Sequence, residues 1–188
     1  GGAGQKIGFD PWYHTRAWVE ATRRTLEKKG AALVEVDSNP VDAVWTDQPS
    51  PSLAPIQLHD ITYTGVSLEE KLAATGQAIA SAGADVAVIA ALDSVAWLLN
   101  IRGTDVTCTP VPRAFALAFA DGRAELFTEP EKVTPALAEA LNGSVTILPR
   151  ERFARRLDEL GAAGSRVLVD PDSTVFAVFS RLQAAGAT

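Results

Sequence analysis

Hydrophobic positions along this chain follow two alternating periods, one typical of short buried strands and one typical of helices. Residues 6–9 are short and apolar and predict a strand. A helix is predicted to begin after Thr15 as N-cap and to end at Gly30, and residues 32–36 return as a strand. Strand, helix and strand within about thirty residues predict a crossover unit.

The middle of the chain carries stronger local signals. Ser67 and Glu70 have the spacing of a capping box, which predicts a helix that continues to about Ala82. The unbroken apolar residues 86–90 favour a strand buried on both faces. Asp93 is predicted to cap the short helix that follows.

The last third of the chain predicts one β-hairpin, followed by alternating helices and strands. Asp121 and Gly122 have the residue types that favour the positive φ angles of a two-residue turn between strands at 114–120 and 124–127. Three further helices are predicted: one begins at Thr134-Pro135, one is marked by Phe153, Leu157 and Leu160, and one by Phe176, Phe179 and Leu182. Strands are predicted at 145–148 and 166–169. This order predicts an α/β fold in which a mixed β-sheet is flanked by helices.

Prolines mark the expected domain boundary. Four of them fall between residues 37 and 55, where they remove backbone donors. We therefore predict that residues 1–47 are the end of a first domain, 48–66 a proline-rich linker, and 67–188 a second domain.

Composition narrows the class of protein. The chain has 188 residues, of which 47% are hydrophobic and 21% charged, and its formal net charge is −6. No apolar run approaches the roughly 20 residues of a membrane helix, and the acidic balance disfavours nucleic acid as a partner. One cysteine cannot form an internal disulfide, so we expect a reducing, cytoplasmic location. The chain contains no methionine, so we expect an excised or processed segment.

Few residues suggest chemistry. His14 and His59 lie in different predicted domains without carboxylates at ligand spacing, so we predict no metal site. Cys108 could act as a nucleophile only with a nearby base, and we predict an inert thiol. The tryptophans are interpreted as domain-packing residues. No catalytic residue is predicted.

Arg102 is the polar residue with the most potential. It lies beside Gly103 in a predicted loop, where a guanidinium could present two donors to a carboxylate or a peptide carbonyl. The alternative is an ion pair with Asp105 that fixes the loop. Arg102 and Asp105 are therefore the candidates for a substrate cleft.

Three segments carry a family resemblance. They are Ile7–Trp12, Asn39–Pro49 and Trp97–Pro112. Together they resemble the N-terminal and middle, creatinase-like domains of the long Xaa-Pro aminopeptidases (aminopeptidase P), which are metallopeptidases. The chain departs from that pattern at Cys108, where relatives often carry histidine.

The resemblance implies a fold and a parent activity. It implies that both predicted domains are creatinase/prolidase N-terminal-domain-like, and that a catalytic "pita-bread" domain is absent. In the family that domain binds two divalent ions, usually manganese, through two Asp, one His and two Glu, and releases the first residue of peptides with proline second. The expected partners are the catalytic domain of the same polypeptide and such peptides, and the parent could form a homodimer.

The resemblance therefore implies that this chain is a non-catalytic part of an aminopeptidase that shapes substrate access and domain assembly. A stand-alone peptide-binding or interaction module is the alternative. A thiol hydrolase that uses Cys108 is a third, weaker hypothesis.

Overall fold

The computed structural model describes residues 2–188, in which strands and helices alternate. The strands are β1 (Lys6–Phe9), β2 (Ala32–Glu35), β3 (Gln57–Leu58), β4 (Val86–Ile89), β5 (Ile101–Arg102), β6 (Phe115–Phe119), β7 (Ala124–Thr128), β8 (Val145–Pro149) and β9 (Val167–Val169). The helices are α1 (Arg16–Glu27), α2 (Pro40–Val44), α3 (Ile61–Thr64), α4 (Leu68–Ser81), α5 (Leu92–Leu98), α6 (Pro135–Leu141), α7 (Arg152–Ala162) and α8 (Phe176–Ala185), with a short 3-10 helix at Pro130–Lys132.

Contacts divide the chain into two compact units. The first comprises the residues up to Pro51 together with Asp170–Arg181, and the second comprises Ser52–Val169 and Leu182–Thr188. The sequence-based division kept the segment around 170–181 with the second domain. The assignment of these units to the domains of a longer protein stays a prediction.

The first unit contains the predicted crossover. β1 and β2 pair in parallel, and α1 connects them. Thr15 is the N-cap of α1 because its side chain accepts a hydrogen bond from the Trp18 amide at 3.3 Å. The small core of the first unit consists of Phe9, Val19, Leu26, Ala31 and Leu33, with Phe176 packed against them.

The later segment joins the first unit through backbone hydrogen bonds. The Phe176 amide donates to the His14 carbonyl at 2.7 Å, and the Ala177 amide donates to the Pro11 carbonyl at 2.9 Å. In the other direction, the Ala17 amide donates to the carbonyl of Pro171 at 3.3 Å. The first unit is therefore built from two stretches of chain that are far apart in sequence.

The second unit is a five-stranded mixed sheet in the order β8-β7-β6-β4-β9. β4 pairs antiparallel with β6 and parallel with β9, β6 pairs antiparallel with β7, and β7 pairs parallel with β8. The predicted fold class, a mixed sheet flanked by helices, is confirmed. The Ser67–Glu70 capping box at the start of α4 is also confirmed, with both reciprocal hydrogen bonds present.

Two local predictions were wrong. β6 ends at Phe119 and β7 begins at Ala124, so residues 120–123 lie between the strands, and of these only Gly122 has a positive φ, at 83°. The turn is therefore longer than two residues. Helix α5 begins after Ala91, which has no side-chain cap, so Asp93 lies inside its first turn.

The predicted linker contains ordered elements. Of the residues between 48 and 66, Gln57–Leu58 form β3, which pairs antiparallel with β5, and Ile61–Thr64 form α3. Arg102 therefore lies in a two-residue strand rather than in a loop. Within residues 2–188, no helix has the length and apolar character needed to cross a membrane.

Candidate functional site

The candidate site is the segment from Arg102, the last residue of β5, to Arg113; it is called here the 102–113 loop. It leaves β5 at Gly103, whose backbone lies against Pro112: a Cβ at this position would be 2.7 Å from both the Cα and the N of Pro112. Glycine is required here by close approach of two backbone segments. The two ends of the loop are thus held together.

The tip of the loop is a tight turn. The Thr109 amide donates to the Val106 carbonyl at 3.2 Å, and Cys108 has a φ of 60°. A cysteine in the left-handed region is uncommon, and this one is exposed. The turn presents its tip, and not its acidic residue, to the surface.

Asp105 points inward. Its Oδ2 accepts a hydrogen bond from the Arg113 amide at 2.6 Å and forms an ion pair with Nζ of Lys132. The side chains of Asp105 and Lys132 are each 1% exposed. Burial opposes ionisation of Asp105, but the hydrogen bonds from Lys132 and from the Arg113 amide outweigh it and lower the pKa of the carboxyl. Asp105 is a buried anion that closes the loop onto Lys132.

Further charges surround this pair. Lys132 Nζ lies 3.8 Å from Oε2 of Glu129, and Glu129 Oε1 lies 3.6 Å from Nε of Arg150. Two carboxylates and two cations therefore alternate, and the cluster is neutral. Asp105 and Lys132 form the buried part of this cluster, whereas the side chains of Glu129 and Arg150 are 22% and 38% exposed.

Arg102 does not pair with Asp105. Its Nη1 donates to the Ile101 carbonyl at 2.8 Å and to the Ala96 carbonyl, near the end of α5, at 3.4 Å. Within residues 2–188 no ion pair joins Arg102 to a carboxylate, so the predicted Arg102–Asp105 ion pair is wrong. Arg102 ends β5 and Asp105 lies in the loop that follows, and the two have separate neighbours because Lys132 takes the carboxylate. Whether either one borders a substrate cleft stays a prediction.

Lys71 is a site residue that sequence reasoning missed. Its ammonium donates to the Trp97 carbonyl at 2.8 Å and to Oδ1 of Asn100 at 2.6 Å, and lies 4.4 Å from the centre of the Trp97 ring. Burial and, secondarily, the charge of Arg102 lower the pKa of Lys71. The available signal was its position between Leu68 and Leu72 on the apolar face of α4, where a cation needs a partner.

Asn100 was missed as well. It has a φ of 51°, a conformation in which asparagine is several-fold enriched. Its side-chain Nδ2 donates to the Val66 carbonyl at 3.0 Å, and its backbone carbonyl accepts from the His59 backbone amide at 2.7 Å. Asn100 therefore ties three segments of the second unit together.

The histidines and the cysteine do not form a reactive group. His59 stacks on Tyr63 with ring centroids 5.6 Å apart, and His14 stacks on Trp18 at 4.0 Å. In the part of the chain that the structure describes, no hydrogen bond joins Cys108 to a histidine. A thiol hydrolase would need a base that activates the thiol.

Metal binding also has no local support. No group of three or more His, Cys, Asp or Glu side chains among the described residues could hold a metal ion. The five-ligand set that the family resemblance implies does not fit these residues.

Similar proteins cover nearly all of this chain. Residues 47–188 match the family described as the Creatinase/Prolidase N-terminal domain. Aminopeptidase P2 of Arabidopsis thaliana is 33% identical over 97% of this chain but only 26% of its own length. A probable Xaa-Pro aminopeptidase P of Aspergillus niger is 34% identical over 85% of this chain and 28% of its own length. The chain thus spans about a quarter of these relatives.

A solved structure agrees with these relatives. The X-prolyl aminopeptidase of Caenorhabditis elegans, described as a cytosolic enzyme with a di-nuclear active site, superposes with a TM-score of 0.85 at 26% identity. The superposition covers 94% of this chain and 29% of the C. elegans chain. The resemblance predicted from the three sequence segments is confirmed.

Proposed function

The chain belongs to the creatinase/prolidase N-terminal domain family, and from this premise we propose that it is a non-catalytic, N-terminal portion of a metal-dependent Xaa-Pro aminopeptidase. One observation carries the proposal: similarity to aminopeptidase P relatives extends over 97% of this chain but over only 26% of the relative. The parent would hydrolyse the bond before a penultimate proline, through a catalytic domain in the same polypeptide.

The metal ions would lie in that catalytic domain. The C. elegans enzyme is described as having a di-nuclear active site, and the donor set for two ions is not found among residues 2–188. We expect two divalent ions, with manganese as the metal. The description of the same enzyme as cytosolic supports a cytoplasmic location for the parent.

The role proposed for this chain is to shape access to the substrate and to support domain assembly. The 102–113 loop would face the catalytic domain, with Arg102 bordering the substrate. Arg102 is only partly buried, and its guanidinium is bound to carbonyl oxygens rather than to a carboxylate. No ion pair therefore compensates its charge, which could attract an anionic group of a peptide.

Activity assays test the non-catalytic assignment. The full-length protein and the 188-residue chain are assayed on Xaa-Pro peptides with added manganese, and only the full-length protein is expected to hydrolyse them. Turnover by the purified 188-residue chain would overturn the assignment. Binding of proline peptides by that chain in isothermal titration calorimetry would support the stand-alone binding module instead.

A substitution tests the role of Arg102. In the full-length enzyme, Arg102→Ala should change KM or kcat for peptides more than it changes the melting temperature. Arg123→Ala is the matched control, because Arg123 is an exposed arginine that pairs with Asp121 in the turn between β6 and β7. If Arg102→Ala lowers only the melting temperature, Arg102 is structural.

A further inference from the structure

Large apolar side chains are exposed around Asn100 in the second unit. The set is called here the aromatic patch. Its members lie on β3, α3, α5 and the turn before α4, and each is between 42% and 79% exposed. They are Leu58, Ile61, Tyr63, Val66 and Trp97. Single exposed apolar residues are ordinary, but a contiguous group marks an interaction surface.

The elements that carry the patch share a frame. His59, between Leu58 and Ile61, donates its amide to the Asn100 carbonyl and stacks on Tyr63. Val66 accepts from the Asn100 side chain at 3.0 Å. The elements that carry the patch therefore meet at one residue.

Lys71 fixes the position of Trp97 in this frame. Its ammonium binds Asn100 Oδ1 and the Trp97 carbonyl and lies under the Trp97 ring, while Lys71 itself is only 4% exposed. A buried cation with these partners holds the indole in place before any partner arrives. Pre-organisation of this kind reduces the entropy lost on binding.

The patch also adjoins the candidate site. Leu58 pairs with Ile101 and Gln57 pairs with Arg102 in the two-residue ladder between β3 and β5. A body that covers the patch would therefore reach the start of the 102–113 loop.

We propose that the aromatic patch is the surface on which the catalytic domain of the same polypeptide packs. This inference rests on the proposed function, and the relatives supply the occupant: 72% or more of their length lies outside the part that this chain matches. Covalent linkage raises the effective concentration of such a domain to the millimolar range, so a patch of two aromatic and three aliphatic side chains suffices to hold it. Tyrosine and tryptophan are the residue types enriched at such interfaces.

A photo-crosslinking experiment on the full-length protein tests this surface. Tyr63 is replaced by p-benzoylphenylalanine, and Glu139, exposed on α6, is replaced in the same way as a matched control. After irradiation, position 63 is expected to give monomer-sized products whose crosslinked peptides lie beyond residue 188, at least five-fold above those from position 139. A probe at Ile61, 54% exposed, repeats the measurement in case the first variant does not fold.

Two outcomes would overturn the inference. One is a yield of downstream crosslinks no higher than that of the control, and the other is a dimer-sized product, which would assign the patch to a second copy. Hydrolysis of Xaa-Pro peptides by the unsubstituted protein is measured separately. If the protein hydrolyses Xaa-Pro peptides but gives no crosslink, the docking surface is refuted and the proposed function stands. If the crosslink forms but the protein is inactive, the docking surface stands and the proposed function is refuted.

Discussion

Two acid–base pairs of the second unit make an instructive comparison. Asp105 and Lys132 close the 102–113 loop with side chains that are 1% exposed, whereas Asp85 and Arg166 join β4 to the start of β9 with side chains that are 48% and 59% exposed. The exposed pair has the better geometry, since Arg166 contacts both oxygens of Asp85, at 2.6 and 3.2 Å. Burial, and not geometry, decides how much stability is lost when one partner of a pair is removed, because the charge that remains in the interior has no water around it.

The largest effect is expected from Lys132→Ala. This variant leaves the Asp105 carboxylate buried without its cation and should lower the free energy of unfolding by about 3–5 kcal/mol. Urea denaturation at neutral pH measures the change. The double variant Lys132→Met with Asp105→Leu should recover most of the loss, and a loss below about 1 kcal/mol for the single variant would remove the contrast between the two pairs.

A smaller effect is expected from Gly103→Ala, which asks whether backbone contact holds the same loop. The new Cβ would be 2.7 Å from backbone atoms of Pro112, which cannot move as a side chain could. Such overpacking costs about 1–3 kcal/mol, measurable in the same denaturation experiment. Gly143→Ala, with nothing near the added Cβ but a positive φ of 90°, shows for comparison what backbone strain costs without a clash. A loss below about 1 kcal/mol for Gly103→Ala would argue against the close approach.

The pH dependence of Lys132→Ala sharpens the comparison further. In the unsubstituted chain the pKa of Asp105 is lowered, so the stability that it contributes is present above the ordinary value of 3.8 and is lost as the pH falls through the lowered pKa. Without Lys132 the largest remaining influence is burial, which raises the pKa. The deficit of the variant should therefore shrink between neutral pH and pH 4, as the buried carboxyl takes up a proton. A deficit that stays constant over this range would mean that water reaches Asp105.

The smallest effect is expected from Asp85→Asn. Hydrogen bonds from the Arg166 side chain and amide lower the pKa of Asp85 to about 2, so the contribution of this pair is present above 3.8 and is lost as the pH falls toward 2. At neutral pH the variant should change the unfolding free energy far less than Lys132→Ala. NMR titration of the Asp85 carboxyl checks the pKa, and a midpoint near 3.8 would show that the ion pair does not persist in solution.

Local signals predicted much of the fold. Thr15, the Ser67–Glu70 box and Thr134-Pro135 mark helix starts through contacts within four residues, and the structure has helices after all three. Apolar residues 86–90 indicate a strand that is covered on both faces because no polar residue interrupts them, and β4 lies inside the sheet. Short-range rules are sufficient where a single turn of chain decides the structure.

The candidate site could not be predicted in the same way. The alternative of an Arg102–Asp105 ion pair rested on closeness in sequence, but the cation of Asp105 is Lys132, 27 positions away. Nothing in the spacing of these residues distinguishes the two cations, since the choice depends on how the 3-10 helix at Pro130–Lys132 packs against the loop. Asn100 and Lys71, separated by 29 positions, were missed for the same reason.

The division of the first unit between two stretches of chain has a consequence for biosynthesis. The carbonyls of Pro11 and His14 leave the ribosome early, but the amides that bind them belong to Ala177 and Phe176. At about 5–20 residues per second, translation of residues 52–169 takes on the order of ten seconds, during which the stretch that ends at Pro51 has no partner for these groups. Strands β4, β6, β7 and β8 can pair during that interval, so the earlier stretch of the first unit waits for the later one while most of the sheet of the second unit is assembled.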